Sequence, residues 1–136
     1  MDARETGVYV MGEQRGVALG DFNHDARVDL AVSQNNAPTL LYLNQTGRRG
    51  LRVVLHGPAA NPDAVGAKLR LLYEGGRPGP CRTIQAGAGY WSQDASTPVL
   101  GRPAVPATLW VRWPGGKEQT VALKNDDWQV EITFRD

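Results

Sequence analysis

The sequence predicts an all-β fold, and three observations predict it. No window keeps apolar residues at helical spacing for three turns, so almost no α-helix is expected. The 16 glycines and nine prolines are spread along the 136 residues and punctuate short segments. Several of those segments alternate apolar and polar residues with period two, the pattern of a strand with one face on a core.

The expected strands, in order, are Gly7–Met11, Gly16–Leu19, Val28–Ser33 and Thr39–Leu43. After a polar link, Asn44–Gly50, come Leu51–His56, Ala67–Tyr73, Cys81–Ala86, Thr108–Trp113, Gln119–Leu123 and Trp128–Phe134. In the last of these Val130, Ile132 and Phe134 can face a core while Gln129, Glu131 and Thr133 face water. In Thr108–Trp113, Leu109, Val111 and Trp113 share one face and Trp110 and Arg112 the other. Glu74–Gly75–Gly76 and Pro114–Gly115–Gly116 suit tight reversals that need positive φ. Ser96–Pro106, with three prolines, is expected to cross between sheets as a loop. The composition shift at Asn44–Gly50 divides an acidic, loop-centred unit, residues 1–47, from a longer β unit, residues 48–136.

Composition narrows the function. Lys plus Arg number 15 against 14 Asp plus Glu, so nothing marks a general nucleic-acid or membrane-surface binder. Cys81 is the only cysteine, which excludes an internal disulfide and a zinc site built from cysteines of this chain. No apolar run is long enough to span a bilayer, and the N-terminus lacks a charged-then-apolar signal pattern.

The segment GDFNHDARVDLAV, residues 20–32, carries the most chemistry. Asp21, Asn23, Asp25 and Asp29 crowd between two apolar runs, and the three carboxylates repel unless positive charge lies between them. With Asp21 as position one, Asn23 and Asp25 stand at three and five, the carbonyl of Arg27 at seven and Asp29 at nine. Hard oxygen donors in this number suit Ca²⁺. The flanks read as strands, so the frame is strand–loop–strand and not an EF-hand. The competing reading is a polar turn whose aspartates face solvent. Position six, which favours glycine for a left-handed turn, is Ala26, and a Cβ there costs roughly 1–2 kcal/mol. His24 is read as an exposed loop residue.

GDFNHDARVDLAVSQNNAPTLLYLN resembles an FG-GAP or VCBS-type repeat: an acidic loop, a strand and a closing "LY-N". That resemblance implies a blade, or part of one, of a calcium-supported β-propeller, with metal ligands at Asp21, Asn23, Asp25, Arg27 through its carbonyl, and Asp29. A single blade buries its faces only against neighbours. From Leu51 to Leu123 the chain resembles the ASPIC/UnbV domain, which follows such repeats in cartilage acidic protein and in many bacterial exported proteins. LRVVLHG, NPDAVGAKLRLLYEGG, QAGAGYWSQD and LWVRWPGGKEQTV carry the likeness; TPVLGRPAVPAT replaces the usual stretch after SQD. The two resemblances imply one partial propeller-type blade or hairpin, with its calcium loop, packed on or linked to a β-sandwich or barrel-like domain.

Two further constellations bear on function. AGAGYWSQD places Tyr90, Trp91, Ser92, Gln93 and Asp94 after two glycines, either as a small ligand site or as a bulge whose aromatic fills the core. Ser92, His56 and Asp63 or Asp94 could form a hydrolytic triad on paper, but no nucleophile elbow or zinc-protease motif accompanies them. Cys81 is read as a strand residue, Arg48–Arg49–Gly50–Leu51–Arg52 as a solvated linker. Asn44–Gln45–Thr46 fits an N-glycosylation sequon. The expected function is a non-catalytic, calcium-stabilised recognition or assembly module, extracellular or periplasmic, forming the C-terminal part of a larger exported protein. Its partner is a protein or a glycan, and no nucleic acid. The alternatives are a carbohydrate-binding module using exposed Trp and Tyr, and a hydrolase.

Overall fold

The computed structural model describes residues 3–105 and 108–135. The chain is all-β. Its strands are β1 (Gln14–Gly20), β2 (Asp29–Gln34), β3 (Ala37–Tyr42), β4 (Leu51–His56) and β5 (Lys68–Leu72). They continue as β6 (Arg82–Thr83), β7 (Val99–Leu100), β8 (Thr108–Arg112), β9 (Glu118–Ala122) and β10 (Gln129–Thr133). A four-residue helix, α1 (Ala3–Thr6), precedes them. No helix among the described residues is long and apolar enough to cross a membrane.

Two sheets pack face to face around the core. One has the order β10–β4–β7, with β10 parallel to β4 and β7 antiparallel to it; the other is antiparallel, in the order β6–β5–β8–β9. Neither closes into a barrel. Leu51, Val53 and Leu55 of β4, Leu100 of β7 and Ile132 of β10 meet Leu69 and Leu71 of β5 and Leu109 and Val111 of β8. This is the expected result of period-two alternation on both inner faces. Trp113, just after β8, is fully buried, sets its ring edge-on to Phe134 and donates its indole N–H to Gln119 Oε1. Trp110 points the other way, under the Arg70 guanidinium and donating to Glu118.

The third sheet, β1–β2–β3, is an antiparallel meander that contributes no residue to this core. Val17, Val32 and Leu40 lie opposite one another across it, and so do Ala18, Ala31 and Leu41. Residues directly opposite share a face, so both faces of the sheet are apolar. Val17, Leu19, Leu41 and Leu43 are consequently exposed.

The turns behave as their composition requires, with φ of 70° and 75° at Gly75 and Gly76 and of 89° and 95° at Gly115 and Gly116. Two expectations are corrected. Gly7–Met11 is not a strand; Gly7 and Gly12 at its ends take φ of 69° and 113°, which break an extended run. The loop expected over Ser96–Pro106 contains β7, which pairs Val99 and Leu100 with Arg52 and Leu51. Pro106 itself lies outside the described residues.

Candidate functional site

The acidic loop closes the β1–β2 hairpin, whose last pair is Gly20 opposite Asp29, so the expected strand–loop–strand frame is present. Ala26 takes φ 62° and His24 φ 58°, the left-handed turns that let the loop curl back on itself. The Asp21 carboxylate accepts the N–H of Asp25 at 2.9 Å and of Ala26 at 3.0 Å. Asn23 Oδ1 accepts the Asp25 N–H at 3.3 Å, and Asp25 Oδ1 the Arg27 N–H at 2.9 Å. Asp29, buried, accepts the N–H of Phe22 at 2.9 Å and of Asn44 at 2.8 Å. These bonds satisfy backbone donors that a tight loop would otherwise leave unpaired.

Asn44 explains the closing asparagine of the motif. Its Oδ1 accepts the Gly47 N–H at 2.8 Å and its Nδ2 donates to the Val28 carbonyl at 3.3 Å. The amide that a sequon would offer to a glycan is therefore engaged in holding the turn.

Two guanidinium groups complete the loop. Arg27 donates from Nη1 to Asp25 Oδ2 at 2.8 Å and from Nε to the Gly47 carbonyl at 2.6 Å. Arg52, from β4, sets its Nε 3.3 Å from Asp21 Oδ2. Its Nη1 donates to Gln129 Oε1 of β10 at 2.8 Å. Desolvation raises the Asp25 carboxyl, but the Arg27 guanidinium, the Asn23 amide and the Arg27 N–H outweigh it. The group therefore sits below its ordinary value of 3.8.

As arranged, this donor set does not fit a calcium ion. The carboxylate oxygens of Asp21, Asp25 and Asp29 are turned onto internal N–H groups, and the Arg27 guanidinium already stands on Asp25 where a cation would sit. Among the described residues no three His, Cys, Asp or Glu side chains are grouped so as to hold a metal. His24 is exposed, as expected.

The second candidate, Tyr90–Asp94, is a tight turn. Gly89 and Ser92 pair across it, and Ala88 donates its N–H to the Ser92 carbonyl at 3.0 Å. Tyr90 and Trp91 stack on each other with ring centroids 5.7 Å apart, and they are 76% and 79% exposed. Neither fills the core. Asp94 accepts the Leu19 N–H at 2.8 Å, and Ala95 donates to the Leu19 carbonyl at 2.9 Å, so the segment docks on the outer edge of β1. Between that edge and the second sheet lies a cleft of about 360 Å³, reached by Leu19, Val28, Cys81, Arg82, Ile84 and Pro98. Cys81 is exposed and just precedes β6 rather than lying within a strand.

The four residues of the possible triad are not hydrogen-bonded to one another. His56 faces Glu131 at 3.3 Å and Asp94 is engaged with β1; no hydrogen bond among the described residues links Ser92, His56, Asp63 and Asp94. Sequence reasoning missed Arg52 as a site residue, because its cluster looked like a linker. The one available signal was its alternation with Leu51 and Val53, which makes it a strand residue facing away from the core.

No curated protein matches the chain. Residues 57–135 match the family described as ASPIC and UnbV, and the chain belongs to that family.

Proposed function

We propose that the chain is a non-catalytic recognition or assembly module of an exported protein. In this reading the sheet β1–β3 is a repeat of FG-GAP/VCBS type, since an apolar surface on both faces is what a propeller blade offers its neighbours. The observation that carries the function is the Tyr90–Trp91 turn. Trp91 takes φ 56°, a conformation that costs about 1–2 kcal/mol for a side chain with a Cβ. With 79% of its surface exposed, it recovers little by burial in this chain. Exposed Trp and Tyr presented together on a turn are residue types that dominate binding interfaces.

The partner is a protein surface, with a glycan as the alternative. The stacked, outward rings favour the second by offering a flat apolar platform beside the polar Ser92 and Gln93. The calcium stabilisation expected from the loop's spacing is not part of this reading, since a cation there would have to displace Arg27 from Asp25. The test of the binding reading is to compare wild type with Tyr90→Ala/Trp91→Ala on an oligosaccharide array and against displayed extracellular proteins. The variant should melt within a few degrees of wild type and lose most of the bound signal. A variant that retains every wild-type interaction removes the turn from the function.

A further inference from the structure

We infer that Arg27 and Arg52 are the cations of the acidic loop, and that Arg52 locks this loop to the sandwich without a divalent ion. Three carboxylates between residues 21 and 29 need positive charge or oriented donors to coexist. The structure supplies both from within. Asp29 receives two backbone N–H groups, Asp25 receives the Arg27 guanidinium, and Asp21 receives two N–H groups and Arg52.

The Arg52–Asp21 pair is the decisive contact. The two side chains are 12% and 1% exposed, and Arg52 Nε, which makes no hydrogen bond among the described residues, is compensated by the Asp21 carboxylate as an ion pair at 3.3 Å. A charge buried to this extent and stripped of its partner is strongly destabilising. Gln129 fixes the same guanidinium from the sandwich side, and the Gly50 N–H donates to the Ala26 carbonyl at 2.8 Å beside it. Strand β4 and the glycine before it thus reach across to the loop through one side chain and one backbone bond. A divalent cation brought to Asp21 and Asp25 would meet both guanidinium groups as like charges.

The test is thermal unfolding of the whole chain in millimolar calcium and in excess EDTA. For wild type the two midpoints should coincide; a site with a dissociation constant far below the added calcium would separate them by several degrees and overturn the inference. Arg27→Gln, at a half-buried loop position, should lower the EDTA midpoint by a few degrees and gain a calcium-dependent rise. An Arg27→Gln midpoint equal to wild type in EDTA also overturns it. Arg52→Gln should lower the midpoint by about 10 °C or abolish folding, and a wild-type midpoint for that variant overturns the lock.

Discussion

Ala26 shows how a single residue can satisfy opposing demands. Its positive φ carries the strain expected from the sequence, yet its methyl group is fully buried and its N–H is held by Asp21. Burying a methyl is worth about 0.8 kcal/mol, comparable to the strain, so the alanine is tolerated where glycine was the expected residue. Asp25 carries a pH signature. Its carboxyl value is lowered in the fold, so the unfolded chain takes up the proton first as the solution is acidified. The stabilisation is complete well above 3.8 and is lost as pH falls through 3.8 to the folded value. Carboxyl shifts from NMR titration should place the Asp25 midpoint below 3.8, and Arg27→Gln should move it upward. An unchanged midpoint in that variant would remove Arg27 as the cause.

At the scale of elements, pairing depends on how closely backbones approach. A Cβ on Gly50 would lie 2.5 Å from the Leu100 carbonyl oxygen and 2.6 Å from Val99 Cγ1. Gly50→Ala should therefore push β7 from the start of β4, at a cost of about 1–3 kcal/mol in urea unfolding. Gly101→Ala is the control, since a Cβ there meets nothing within 4 Å and its stability should equal or slightly exceed wild type. The strands with clear alternation, β4, β8 and β10, were legible because each repeats its apolar residues on one face. Strand β7 was not, because two residues among prolines acquire strand character only by meeting β4. The loop's curl was legible from its spacing; the commitment of its oxygens was not, because Arg52 and Asn44 arrive from other elements.

Across the whole molecule the core belongs to the sandwich, and the sheet β1–β3 is held to it by the Arg52–Asp21 pair, the Gly50–Ala26 bond and the contacts at Leu19. Trp113 sits where both sandwich sheets meet, so Trp113→Ala should cost about 3–5 kcal/mol. That is a large share of the roughly 5–15 kcal/mol that holds a domain together, and calorimetry should show a correspondingly lower melting point. The order of residues by itself determined the all-β class, the glycine turns, the inner faces of the longest strands and the resemblance to the ASPIC/UnbV family, because these depend on local φ and period-two burial. Only the tertiary structure decided which charges neutralise the acidic loop and that Tyr90 and Trp91 point outward. Both are set by groups distant in the chain, whose approach no local pattern encodes.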